Sequence, residues 1–117
     1  MILYGLSNCD STKAAIKWLK QNNISFIFRD YKIHDVDTLK LKAWLQQIPL
    51  EKLLNKKSTT WRLLPPEQQA MVVSEAGAIQ LMKENSTLIK RPALEKNGIL
   101  VSVGFNEHEY AEKLILL

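Results

Sequence analysis

The first thirty residues constrain the fold more than any other part of the chain, because they read as strand, helix, strand. Met1-Ile2-Leu3-Tyr4 is short, apolar and β-branched at Ile2, which suits a buried strand. Ala14, Ala15, Trp18 and Leu19 then recur at helical spacing, with Lys13, Lys17 and Lys20 between them. Gln21-Asn22-Asn23 ends that helix. Ile24-Ser25-Phe26-Ile27-Phe28-Arg29-Asp30 has the aromatic and β-branched content of a second strand. A strand–helix–strand unit of this length implies parallel strands joined by a right-handed crossover.

Between the first strand and the helix lies Gly5-Leu6-Ser7-Asn8-Cys9-Asp10-Ser11-Thr12, which holds the single cysteine of the chain. Gly5, Ser7 and Asn8 supply the turn, and Asn8 and Ser11 are both suited to cap the helix. Cys9 therefore falls at a helix N-terminus, where unpaired N–H groups and the helix dipole stabilise an anion. The thiolate is the nucleophilic form of cysteine, and such a setting commonly lowers a thiol pKa from ~8.5 into the range ~3.5–7.5. Lys13, four residues on, adds positive charge on the same face, and Asp10 opposes it. A lone cysteine is otherwise a small buried hydrophobe; here its polar neighbours favour an accessible, reactive thiol.

The middle of the chain reads as short helices. Asp35 or Asp37 caps a pattern carrying Leu39, Leu41, Trp44, Leu45 and Ile48, and Pro49 ends it. Leu50 to Leu54 forms one helical turn, and residues 55–62 read as a polar, basic connection. Pro65-Pro66-Glu67 opens another short helix, since proline is tolerated in a first turn. Ser74-Glu75-Ala76 starts the next, with Ile79, Leu81 and Met82 facing inward and Glu84-Asn85-Ser86 closing it. Residues 88–95 read as a strand, Lys96-Asn97-Gly98 as a hairpin turn, and Ile99 to Val103 as the returning strand. Asn106 caps a last helix with Tyr110, Ala111, Leu114 and Ile115 inward, and the closing Leu114-Ile115-Leu116-Leu117 reads as core or as contact with another chain. The order β-α-β, helices, β-β-α describes one α/β domain over 1–117: a layer of about 1–34 and 88–117, thioredoxin-like in topology, with a helical insert of about 35–87.

With 117 residues and 46% hydrophobic content the chain can bury a core of its own. No apolar run approaches the ~18–20 residues of a membrane span, and no signal peptide is expected. One cysteine without a partner fits a reducing cytoplasm. The net charge of +4 is spread along the chain with no nucleic-acid motif beside it, so direct nucleic-acid binding is not expected. His34 and His108 have no metal spacing, and a metal site is not expected. Trp18 and Trp44 read as core, while Trp61 lies in the polar connection.

Three stretches together resemble the arsenate reductase/Spx family (ArsC-like), most closely its YffB-like branch. They are Tyr4-Gly5-Leu6-Ser7-Asn8-Cys9-Asp10-Ser11-Thr12-Lys13-Ala14, Leu53-Leu54-Asn55-Lys56-Lys57-Ser58-Thr59-Thr60-Trp61-Arg62, and Leu88-Ile89-Lys90-Arg91-Pro92-Ala93-Leu94. The resemblance implies a thioredoxin-like fold with an inserted helical subdomain, and an active cleft where the two meet. It implies Cys9 as nucleophile, Arg91 as the arginine beside it, and Pro92 as a cis proline facing the cysteine. A guanidinium lowers a thiol pKa and clamps a carboxylate or oxyanion through two hydrogen bonds.

The departures from the pattern narrow the function. Arsenate reductases of this type use three arginines around the oxyanion, and only Arg91 has a clear counterpart here. Asn55 stands at the first position and Ile99-Leu100-Val101 offers no third. Losing two contacts worth roughly 1.5–3 kcal/mol each disfavours arsenate reduction. Spx-type regulators bind RNA polymerase and often carry a Cys-x-x-Cys switch; Thr12 replaces the second cysteine, so no internal disulfide forms. The expected function is a glutathione-dependent monothiol reductase, with glutathione as co-substrate, no bound cofactor and a monomeric chain. An RNA polymerase-binding regulator is the alternative. Asn8, Ser11, Thr12, Lys13, Arg62 and Pro92 are the expected thiolate- or substrate-binding residues around Cys9 and Arg91.

Overall fold

The computed structural model describes residues 1–115; Leu116 and Leu117, the end of the closing apolar run, lie outside the described residues. The chain divides into two compact units, Met1–Ile33 with Arg91–Leu117, and His34–Lys90.

The first unit is built on a four-stranded sheet. Its elements are β1 (Ile2–Gly5), α1 (Asp10–Gln21), β2 (Ile27–Asp30) and, after the second unit, a hairpin and a last helix. The strand order is β2, β1, then the two hairpin strands; β1 and β2 run parallel, as the crossover requires, and the remaining pairs are antiparallel. Leu3 on β1 pairs with Leu94 of the hairpin, and both join Ala15, Trp18 and Leu19 of α1 and Tyr110 of the last helix in one apolar cluster. Trp18 and Phe105 each meet the Tyr110 ring edge-on, at 5.6 and 4.8 Å between centroids. Each large side chain buried in this way contributes about 1.5–3 kcal/mol.

The second strand begins later than its composition suggests. Ile24 donates its N–H to the carbonyl of Leu19, and Asn23 takes a left-handed φ of 56°, so residues 22–24 are still closing α1 and the paired strand starts only at Ile27. β-propensity there yields to the helix end.

The second unit holds α2 (Thr38–Leu45), α3 (Leu50–Leu53), α4 (Thr59–Leu63), α5 (Pro66–Gln69), a 3-10 turn over Ala70–Val73, α6 (Glu75–Glu84) and a 3-10 turn over Ser86–Leu88. Asp37, Ser58 and Ser74 each accept a backbone N–H three residues on, as helix caps do. The helix α4 begins inside the stretch that reads as a polar connection and runs one residue beyond it. Its start is set by the Ser58 cap and not by apolar periodicity, since none of its residues is buried. Trp61 is half-buried there with the Lys56 ammonium 5.3 Å from its ring centre. Leu41, Trp44, Leu53, Leu81, Met82 and Leu88 are fully buried. Residues 53–55 run beside 88–90 through Asn55 N–H to Leu88 O (2.7 Å) and Lys90 N–H to Leu53 O (2.8 Å).

The chain then returns to the sheet as β3 (Ala93–Lys96) and β4 (Ile99–Val103), followed by α7 (Glu107–Leu114). Residues 88–92, which read as strand, carry a 3-10 end and a cis Arg91–Pro92 bond instead, and Pro92 has no N–H for a ladder. The β3–β4 turn is Asn97-Gly98, both at positive φ, the arrangement an Asn-Gly hairpin favours. Asn106 caps α7 by accepting from Glu109 N–H. Tyr110 faces inward, but Ile115 is about half exposed, because α7 ends one residue before it.

Candidate active site

The turn after β1 places Cys9. Its N–H donates to Leu6 O at 3.0 Å, closing a tight turn over Leu6–Cys9, and its carbonyl accepts the Lys13 N–H at 2.9 Å, the first bond of α1. With φ −94° and ψ 129°, Cys9 is itself the N-cap residue. The capping expected of Asn8 or Ser11 is thereby corrected. Asn8 stands exposed in the turn, and Ser11 lies inside the first helical turn.

This register decides the chemistry. An N-cap side chain normally accepts the N–H groups two and three residues on. In this chain those belong to Ser11 and Thr12, and the side chain facing them is a thiol. Burial pushes the Cys9 thiol up, but the Thr12 N–H, the Thr12 hydroxyl, the Ser11 N–H and the Arg91 guanidinium outweigh it, so the thiol titrates below its ordinary value. The uncharged sulfur makes no ordinary cap bond; the donors form a loose cradle that favours the charged form. Cys9 remains partly exposed, within reach of a substrate.

The remaining expected residues divide. Arg91, half-buried at the start of the cis bond, acts on Cys9 and also on Tyr31. Pro92 is buried, and its bond to Arg91 has the cis form that the resemblance implies; its carbonyl accepts the Gly104 N–H at 2.9 Å. Lys13 is exposed and meets Cys9 through its backbone N–H. Arg62 is exposed in α4 of the second unit.

Three residues that sequence reading passed over complete the site. Tyr31 is buried and stacks on Tyr4, with ring centres 6.3 Å apart. Burial drives its hydroxyl well above the ordinary range, and the Arg91 charge works the other way. Asp30 accepts the Ser7 N–H at 3.2 Å and so fixes the turn ahead of Cys9. Gly5, read as a turn residue, is the last residue of β1, paired with Asp30. An aspartate at the end of a predicted strand, beside a predicted loop, was the one available signal for Asp30.

Among the described residues no group of three or more His, Cys, Asp or Glu side chains is placed to hold a metal ion, and no helix is long and apolar enough to cross a membrane. His108 pairs with Glu112 at 2.9 Å on the surface of α7.

Residues 4–113 match the model of the ArsC family. The chain belongs to the ArsC family. A functionally uncharacterized protein of Haemophilus influenzae is 41% identical to this ArsC-family chain over 108 residues, covering 92% of this chain and 93% of the other. A solved structure of a protein described as YffB is 38% identical and superposes with a TM-score of 0.90 over 97% of each chain. The global transcriptional regulator Spx of Enterococcus faecalis is 27% identical over 111 residues, covering 93% of this chain and 82% of that one. The α/β architecture is therefore the thioredoxin-like one of the ArsC family, with helices inserted between β2 and β3.

Proposed function

We propose that this ArsC-family protein is a glutathione-dependent monothiol reductase. The observation that carries the reading is the position of Cys9 as N-cap of α1, its thiol acidified by Thr12, Ser11 and Arg91. In the first step the Cys9 thiolate attacks one sulfur of a disulfide substrate; a Cys9–sulfur bond forms, the substrate S–S bond breaks, and the other sulfur leaves as a thiolate that takes up a proton. When glutathione is the part retained, a second glutathione thiolate attacks the mixed disulfide, restoring the Cys9 thiolate and releasing oxidised glutathione. The net exchange turns the substrate's mixed disulfide and one glutathione thiol into the substrate thiol and oxidised glutathione, so the incoming glutathione supplies the reducing thiol and the retained one enters already as half of a disulfide. Thr12 takes the place of a resolving cysteine, so the second thiol must come from outside. Lys13 and Arg91 are the cations proposed to meet the carboxylates of glutathione, Arg91 through paired hydrogen bonds. A chain with a lone thiol suits a reducing compartment, and the proposed setting is the cytoplasm.

Mass spectrometry after exposure to oxidised glutathione tests this directly. One glutathionyl adduct is expected on Cys9 and none on the Cys9→Ser variant. An unmodified Cys9 would end the reductase reading. The likeness to the Enterococcus faecalis regulator favours a second reading, an RNA polymerase-binding regulator without a disulfide switch. That reading expects capture of a polymerase subunit by the wild-type chain and by Cys9→Ser equally.

A further inference from the structure

We propose that Gly5 is a positioning residue for the Cys9 thiol: by having no side chain, it admits the Thr12 side chain to the seat from which its hydroxyl serves the sulfur. A Cβ built on Gly5 would stand 2.6 Å from Thr12 Oγ1, 2.8 Å from its Cγ2 and 3.3 Å from its Cβ. The first two separations are shorter than any side chain tolerates, so an alanine here must displace Thr12. Backbone conformation does not explain the glycine. Gly5 is an ordinary strand residue of β1, whereas Gly98 and Gly104 take φ of 78°.

The space is used for a purpose that packing alone would not select. Thr12 is fully buried, and its Oγ1 has no hydrogen-bond partner among the described residues. A buried hydroxyl left in that state is unfavourable, and a valine would fill the same volume without the loss. The neighbour that gains from the hydroxyl is the Cys9 thiolate, toward which the first turn of α1 also directs the Ser11 and Thr12 N–H groups. Gly5 and Thr12, seven residues apart, thus act as one unit.

The inference rests on Cys9 being a reactive thiol, but its test reads thiol acidity and not turnover. The rate of alkylation by iodoacetamide is followed against pH for the full chain and for Thr12→Ala, Gly5→Ala and the double variant. Thr12→Ala is expected to move the midpoint to higher pH and to slow alkylation several-fold near neutrality. Gly5→Ala should do the same. The double variant should match Thr12→Ala, since the Oγ1 and Cγ2 contacts are gone. A wild-type midpoint in either single variant overturns the proposal, as does a double variant shifted beyond Thr12→Ala. Should Gly5→Ala fail to fold, the double variant decides. Folding with the Thr12→Ala midpoint supports the proposal; failure to fold overturns it, because the Oγ1 and Cγ2 atoms would then not be what the absent side chain of Gly5 makes room for. Absence of a glutathione adduct on wild-type protein would sink the reductase reading and leave this result standing.

Discussion

Asp30 holds Ser7: the Ser7 N–H donates to Asp30 Oδ2 at 3.2 Å, while the Lys32 N–H donates to Oδ1 at 2.8 Å. One carboxylate at the end of β2 thereby fixes both the turn that delivers Cys9 and the chain leaving the strand. The Lys32 N–H, aided by Ser7, outweighs burial and lowers the Asp30 pKa below its ordinary value.

Replacing Asp30 by alanine leaves two backbone donors without their acceptor, and the expected cost is about 1–2 kcal/mol at neutral pH. The sign with pH follows from the lowered pKa. The contribution is present in full above the unfolded value of ~3.9 and is lost as pH falls through the folded one. Urea melts of wild type and Asp30→Ala should therefore differ by a constant amount near neutrality and converge in acid. A gap that stayed open at low pH would assign the loss to packing.

Arg91 offers a second handle on the thiol. Removing the guanidinium in Arg91→Ala is expected to shift the alkylation midpoint of Cys9 upward and slow the reaction several-fold near pH 7. Arg91→Lys keeps a positive charge but not the planar fork, and should fall between the two. At high pH, where every thiol is ionised, the wild-type advantage should vanish, and the variants should be as fast or slightly faster, since a less acidic thiol gives a more nucleophilic thiolate. Equal midpoints would mean that the donors of the first helical turn suffice.

The same acidity must appear in stability. A thiol whose pKa is lower folded than unfolded stabilises the fold as a thiolate, fully so above the unfolded value of ~8.5. That stabilisation disappears as pH falls through the folded pKa. Wild-type stability measured relative to Cys9→Ala should accordingly rise with pH across this window. A difference that stays flat would show that the thiol is no more acidic folded than unfolded.

How far the residues announce this structure varies with the kind of signal. Leu3, Ala15, Trp18 and Leu19 repeat with the period of their element, and each is buried as that period requires. Asn97-Gly98 carries its turn in its own chemistry, both residues taking positive φ. Where two local signals compete, composition misleads: Ile24 to Phe26 look like strand, but Ile24 closes a helix and the strand starts at Ile27. The helix α4 was hidden because a cap, not an apolar face, starts it. At the site, the type and approximate place of Cys9 were legible, but its role as the cap residue depends on a one-residue difference in where α1 begins. Gly5 showed only a missing side chain; that Thr12 fills the space is a fact of three dimensions.

Gly77 poses a contest between propensity and space. It is the third residue of α6, and its N–H donates to the Ser74 cap. Alanine is preferred to glycine in a helix interior by about 0.8–1.0 kcal/mol, so propensity predicts a gain. A Cβ at Gly77, however, would lie 2.1 Å from the carbonyl oxygen of Met71 and 2.9 Å from Ser74 Oγ. The nearer atom is backbone and cannot rotate away, so the preceding 3-10 turn must shift, at a cost of about 1–3 kcal/mol for such overpacking. The clash should win. Gly77→Ala is expected to lower the urea midpoint with an unchanged slope, and Gly77→Asn to lower it further. Gly98 supplies the control, since a Cβ there meets nothing and only its φ of 78° asks for glycine. Asparagine tolerates that backbone, so Gly98→Asn should be nearly neutral while Gly98→Ala is not. If Gly77→Ala instead raised the midpoint, the turn over Ala70–Val73 would be yielding at less cost than the helix gains.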